Sequence, residues 1–328
     1  MSKFQAVGIG NAVVDVISQS DDAFLSRMGI EKGVMTLIEQ ERGEYLYDSM
    51  ENRTRMAGGS VANTMAGLAA LGLNTGFIGR VRDDELGQFY ADAMADVGCS
   101  FVNAPVPGGE LPTSRSMIFV SPDGERSMNT YLGISTELGP DDVADDVAGQ
   151  AGLLLLEGYL FDKAKGKDAF LSAARACRAG GGTAGISLSD PFCVDRHRAD
   201  FRALVKELDY VIGNEHEWKS LYQTDDLGAA LEQAAADCGL IACTRSGHDV
   251  ALVQGDHSVQ VPVRKVTPVD TTGAGDQFAA GFLYGVATGA SLEVSGRMGC
   301  IAAAEVITHY GARPEADVRA LFAAQGLI

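Results

Sequence analysis

The chain has 328 residues, 46% hydrophobic and 21% charged, enough to bury the core of one large or two modest α/β domains, and this excludes wholesale disorder. A formal net charge of −18 sets up a field that repels phosphodiester backbones and anionic lipid, which argues against nucleic-acid and membrane-surface binding. It repels ATP at long range too, so a nucleotide site here has to supply its own local positive potential.

Phe4–Gly10 reads as a short apolar strand, and it follows an N-terminus with no long apolar leader. Val34–Ile38 and Arg53–Met56 read as further short strands. Ser60 is the expected N-cap of a helix through Leu71, stopped by Gly72. Thr75–Val81 reads as a strand and Asp84–Val97 as an amphipathic helix closed by Gly98. The stretch Cys99–Leu132 changes character: it holds four prolines, and the turn Pro122-Asp123-Gly124 joins two hairpin-like strands, Ser114–Ser121 and Glu125–Tyr131. This predicts a small sheet set apart from the main body. After Gly139-Pro140 come short, nearly continuous apolar runs at Leu153–Leu156, Ala184–Leu188, Tyr210–Ile212 and Leu240–Thr244. Parallel strands buried on both faces look like this. Helices are expected between them at Lys165–Arg178, Ala199–Leu208 and Asp226–Cys238. A late hairpin (Asp249–Gln254, Ser258–Val263) and helices starting near Gly275, Ser291 and Pro314 complete the chain. The alternation predicts a doubly wound, mostly parallel α/β sheet with helices on both faces.

Six scattered cysteines without a C-x-x-C pair read as reduced thiols of a cytoplasmic protein, and the five histidines show no metal-binding spacing. No G-x-x-x-x-G-K-[ST] occurs, and Val13 stands where a dinucleotide fingerprint needs its third glycine. The strongest site signal is Asp270-Thr271-Thr272-Gly273-Ala274-Gly275-Asp276 ahead of an apolar helix. Its glycines let backbone N–H groups converge at a helix N-terminus, an anion hole suited to a transferring phosphoryl group. Asp276, in the first turn of that helix, is placed to take a proton from an attacking hydroxyl. Asn11 and Asp15, with Gly58, Gly59, Ser60 and Asn63, can bind vicinal hydroxyls, although taken alone Asn11 and Asp15 read as turn formers and Gly58-Gly59 as a strand-to-helix turn. Asn214 and Glu217 are spaced either to order water around Mg²⁺ or to cap a helix. Thr244-Arg245-Ser246-Gly247 is a strand end and turn that can touch a nucleotide.

Taken in order, AGGSVAN at Ala57–Asn63, GNEHE at Gly213–Glu217 and DTTGAGD at Asp270–Asp276 resemble the motifs of the ribokinase (PfkB) family of sugar and nucleoside kinases, over nearly the whole chain. The resemblance implies a single ribokinase-like domain, residues 1–328, with a β-sheet lid from about 12–38 and 99–134 over the phosphoryl acceptor. It implies Asp276 as catalytic base, with the Gly273, Ala274, Gly275 and Asp276 amides as anion hole. Asn214 and Glu217 would organise Mg²⁺ through water, with no direct protein ligand to the metal, and Thr244 and Gly247 would bind the nucleotide. ATP would be the co-substrate. Within the family the chain is most similar to adenosine kinases: Asn11 and Asp15 are four apart, Ser60 follows the glycine pair, and Arg126-Ser127 resembles a lid segment whose arginine reaches phosphate. Gly158-Tyr159-Leu160 departs from the consecutive aromatics expected beside a purine. Adenosine is thus the expected acceptor, with a keto-hexose, ribose or sugar acid as the alternative. The lid sheet also offers an edge for pairing in a homodimer.

Overall fold

The computed structural model describes residues 4–328, apart from the side chains of Asp145 and Asp162; residues 1–3, the start of the segment read as lacking a leader, lie outside. The strands in chain order are β1 (Phe4–Ile9), β2 (Val13–Gln19), β3 (Met35–Leu37), β4 (Thr54–Gly58), β5 (Thr75–Ile78), β6 (Cys99–Phe101) and β7 (Ser114–Val120). They continue with β8 (Arg126–Tyr131), β9 (Ala151–Glu157), β10 (Thr183–Ser187), β11 (Tyr210–Asn214), β12 (Leu240–Arg245), β13 (His248–Gln254) and β14 (His257–Val261).

Nine strands form one sheet, in the order β14-β13-β12-β11-β10-β9-β1-β5-β6. It is parallel from β6 to β12 and ends in the antiparallel hairpin β13–β14. The apolar runs mark its middle because both faces are covered. On β9, Leu153 and Leu155 belong to the core beneath the helices Ser60–Ala70, Ala274–Ala287 and Leu292–Val306, while Leu154 and Leu156 belong to the core around Phe161, Phe170, Phe201 and Trp218. The chain runs from β1 outward through β5 and β6, then returns to β9 and proceeds the other way. The switch point therefore lies between β1 and β9, and a crevice opens there at the strands' C-terminal ends.

Five strands form the second sheet, ordered β3-β8-β7-β2-β4. Its members differ from the expected lid segments in two ways. β4 joins it, pairing antiparallel with β2, whereas β6 belongs to the large sheet beside β5. The physical reason for the second is the helix Glu85–Asp96, which makes β5 to β6 a crossover unit that must return to the parallel sheet. Strand β2 itself was not anticipated, because Asn11 and Asp15 look like turn formers. In the structure Val14 and Val16 face a core with Leu25, Leu46, Met117 and Phe119. Asp15 points to the opposite face.

Register fixes what else shares that face. Asp15 pairs with Met56 and Ser116, Ile17 with Ile118, Ile118 with Met128, Val120 with Arg126, Met35 with Met128 and Leu37 with Thr130. The face carrying Asp15 therefore also carries Ile17, Met56, Ser116, Ile118, Met128, Arg126, Met35 and Leu37. It is turned toward the helix Ala274–Ala287, since Arg126 makes an ion pair with Asp270 just ahead of that helix.

Candidate active site

Four segments meet at the crevice. β1 ends at Gly10-Asn11, β9 ends at Glu157, the turn Gly58-Gly59 starts the helix Ser60–Ala70, and Gly273 starts the helix Ala274–Ala287. Gly59 is the N-cap with φ 102°, and a Cβ there would strike the Asn11 carbonyl, so this turn requires glycine. The expected N-cap, Ser60, is the first helical residue instead. Its hydroxyl is therefore free to leave the helix, and it donates to Asp276 Oδ1 at 2.7 Å.

Asp276 is held from three sides. Asn63 Nδ2 donates to its Oδ2 at 3.1 Å, and Thr64 Oγ1 donates to its backbone carbonyl at 3.1 Å. Burial pushes its carboxyl up to about 6, against the pull of the Ser60 and Asn63 hydrogen bonds. A half-buried carboxylate with this basicity can accept a proton near neutral pH. Ser60 and Asn63, expected to touch substrate, are thus spent on Asp276.

Of the four amides Gly273–Asp276, only Ala274 N is spent, on Thr271 O at 3.2 Å. The N–H groups of Gly273, Gly275 and Asp276 have no partner among the described residues. They sit at the positive end of a 14-residue helix, which suits a phosphoryl group. Gly273 has φ 79° and its missing Cβ would collide with Ala312, so the turn cannot take a side chain. Of the four amides expected to form an anion hole, three are thus open in this geometry and Ala274 N is bonded within the turn.

Asp15 and Asn11 separate in role. Among the described residues nothing donates a hydrogen bond to the Asp15 carboxylate, which lies against Gly58 so closely that a Cβ there would overlap it. Burial pushes Asp15 up to about 6, opposed by Arg126 and Arg313 and reinforced by Asp276. Its lone pairs are available to ligand hydroxyls. Asn11, by contrast, is 4% exposed and held by protein partners: its N and Nδ2 donate to Glu157 Oε1 at 3.1 and 2.8 Å, and its Oδ1 accepts from Ser135 Oγ at 3.0 Å. Asn11 thus has a supporting part in this geometry, tying the end of β1 to Glu157 and Ser135.

Glu157 went unnoticed in the sequence. It is 1% exposed, and its Oε2 accepts from Val61 N at 3.0 Å, so one carboxylate joins β1, β9 and the first turn of the Ser60–Ala70 helix. Burial pushes it up to about 7. Its signal was available: Glu157 is the one acid closing the run Leu153-Leu154-Leu155-Leu156, at a parallel strand's C-terminal end. Arg313 gave no such signal. Its guanidinium donates through Nε to Asn63 Oδ1 at 3.4 Å and through Nη2 to Ala57 O at 2.6 Å.

The remaining expected residues lie along the same edge. Asn214 and Glu217 form a closed capping box: Asn214 Oδ1 accepts from Glu217 N, and both Glu217 oxygens accept from Asn214. Burial pushes Glu217 up to about 8. The capping bonds are formed in this geometry and use one acceptor site on each Glu217 oxygen; among the described residues no cluster of three acidic, His or Cys groups could hold a metal directly. Thr244 pairs with Asn214 across β11–β12, and Gly247 faces open space in the following turn. Arg126, expected to reach phosphate, has a side chain 9% exposed and paired with Asp270. Tyr159, in the region expected to hold aromatics, donates to Ser189 O at 3.2 Å.

Comparison with known proteins bears on the fold and the family. A probable sugar kinase from Rhizobium etli matches with 44% identity over 100% of both chains and a TM-score of 0.91. An adenosine kinase from Sinorhizobium meliloti matches with 44% identity over 99% of this chain and 100% of its own, with a TM-score of 0.90. A protein of Archaeoglobus fulgidus named as an uncharacterized sugar kinase is 30% identical over 248 residues, 75% of this chain and 96% of its own length. Residues 34–319 match the description pfkB family carbohydrate kinase. The chain belongs to the pfkB family and is a kinase, a phosphotransferase with an alcohol group as acceptor and ATP as co-substrate.

Proposed function

We propose that the chain transfers the γ-phosphate of ATP, bound with Mg²⁺, to the primary hydroxyl of a ribonucleoside, adenosine foremost. The observation that carries this reading is the apolar strip on the face that holds Asp15. Met35 is 45% exposed and Leu37 53% exposed, with Met128, Ile17 and Met56 half-buried beside them. A bare sugar gives such side chains nothing to bury against. A purine ring covering about 100 Å² of them would gain about 2.5 kcal/mol. The 44%-identical relative named as an adenosine kinase supports the same reading; the relatives named as sugar kinases supply the alternative.

The roles follow from what is free and what is spent. Asp15, with open lone pairs, accepts from two vicinal ribose hydroxyls beside Gly58. Asp276, steered by Ser60 and Asn63, takes the proton from the attacking hydroxyl. The free amides of Gly273, Gly275 and Asp276 receive the phosphoryl oxygens, and the small sheet acts as the lid that excludes water. Thr244 and Gly247 lie at the nucleotide end, with Asn214 and Glu217 shaping the adjoining strand end. Mg²⁺, entering on the phosphates and ordered through water, would neutralise charge that the acidic chain cannot. The test is ATP consumption with adenosine, inosine, ribose, fructose and 2-keto-3-deoxygluconate as acceptors. Turnover of adenosine with little of ribose supports the nucleoside reading. Turnover of a sugar alone would keep the phosphotransferase and remove the purine from it.

A further inference from the structure

We infer that Arg313 is a positioning residue for the base, acting through the Asn63 amide. The inference rests on the reading of Asp276 as base. Asn63 is 6% exposed and has one neighbour at each end of its amide: Asp276 Oδ2 at 3.1 Å from Nδ2, and Arg313 Nε at 3.4 Å from Oδ1. Each end faces its chemical complement. Turning the amide over would set a carbonyl oxygen against a carboxylate and an NH₂ group against a guanidinium, two repulsions in place of two attractions. The cation is thus what tells Asn63 which way to point, and a correctly turned Asn63 supplies the second of the two side-chain donors that orient Asp276.

Arg313 is itself over-determined. Nη2 donates to the Ala57 carbonyl, one residue before Gly58, so a single side chain ties the end of β4 to the helix that carries Asn63. Gln277 braces the same junction from the base's own helix, donating to Asn63 O at 3.2 Å and to Ala312 O at 3.0 Å. Drift of the Asn63 helix against Ala312 and the base's own helix is therefore restrained independently of Arg313, whose own contributions are the Ala57 tie and the amide's orientation. The charged groups around this relay are the carboxylates of Asp15 and Glu157, which feel the Asp276 charge, and Arg126, which with Arg313 flanks Asp15. The Tyr159 hydroxyl lies in the same field.

The experiment is a double-mutant cycle with Arg313→Met, Asn63→Ala and the pair, using the acceptor that the unaltered enzyme phosphorylates and following kcat, acceptor KM and pH profile. The relay predicts that Arg313→Met lowers kcat about 10- to 100-fold, the range expected for disturbing a hydrogen bond to a charged group, while KM changes far less. The pair should be no worse than Asn63→Ala alone. The acid limb of kcat should move to higher pH in Arg313→Met, because Asp276 loses a donor that favours its charged form. Arg313→Lys, which keeps the cation and loses the second arm, should recover part of the activity and of the limb. Losses that multiply in the pair, or a lowered kcat with an unmoved limb, would overturn the relay and leave Arg313 as packing alone. A rise confined to KM would overturn it in favour of direct substrate contact. If Arg313→Met does not fold, the Lys variant and its pH limb decide alone. Asp276→Asn run in parallel separates the two readings: retained turnover there removes the base itself, whereas lost turnover with an additive cycle removes only the relay.

Discussion

Replacing Ser60 by alanine removes one hydrogen bond from Asp276, the proposed base, and nothing from the fold's core. The Ser60 hydroxyl stands 2.7 Å from Asp276 Oδ1, with Asp276 held at about 6 by burial against this bond and that of Asn63. A hydrogen bond to a charged group is worth about 1.5–3 kcal/mol, and about 1.4 kcal/mol equals one pKa unit. Asp276 is half-buried, so water takes over part of the lost bond and the lower end of that range applies: Asp276 moves from about 6 to about 7. The sign is upward, because the lost donor favoured the carboxylate. At pH near 6 the ionised fraction then drops from about one half to about one tenth, and near pH 9 it is close to complete in both proteins. The assay is kcat from pH 5 to 9 at saturating acceptor and ATP, which keeps Asp15 covered and out of the profile. The acid limb of Ser60→Ala should lie about one unit higher, with the two curves converging in alkali. A limb that stays in place, or a loss of the same size at every pH, would refute the reasoning that Ser60 tunes the base.

Gly58→Ala should raise acceptor KM by about tenfold or more and leave ATP KM nearly unchanged, since the new methyl overlaps the Asp15 carboxylate and nothing on the nucleotide side. Arg126→Gln leaves Asp270, whose side chain is 6% exposed, without its cation; a broken buried pair costs about 3–5 kcal/mol, reduced here by the N–H bonds from Gly311 and Thr272, and a lowered melting temperature restored by adding Asp270→Asn would confirm it. Glu217 and Glu157 are pushed up by burial to about 8 and about 7, so the folded chain binds more protons than the unfolded one between about pH 4.5 and those values. Their unfavourable contribution is absent in acid and grows as the pH rises, so the melting temperature should fall from pH 5 to 9, and Glu217→Gln should flatten that slope.

The parallel strands of the large sheet were legible because a strand buried on both faces leaves an unbroken apolar run, as at Leu153–Leu156. The turn Gly273–Asp276 at a helix N-terminus was legible because its glycines and aspartates are local. What escaped depends on contacts across the chain. Strand β2 hid because Asp15 interrupts the apolar run Val13–Ile17 and, beside Asn11, looks like a turn former. Ser60 had the credentials of an N-cap, and only the partner 216 residues away shows its hydroxyl directed elsewhere. Asn214 and Glu217 fit two readings by spacing, and the closed capping box is the one whose bonds the chain forms by itself. Arg313 sits in a polar loop where a lone arginine looks like any surface cation. Its meaning exists only once Ala57 and Asn63 are beside it.

Asp276 is proposed to take the proton from the acceptor hydroxyl, and paired calorimetry and turnover on Asp276→Asn test this most directly. Asparagine matches the carboxylate in size and can still meet Ser60 and Asn63, so acceptor and ATP should bind within a few-fold of normal. Loss of the base should lower kcat by about 10²–10⁴-fold. Turnover near that of the unaltered enzyme, with binding intact, would contradict the claim.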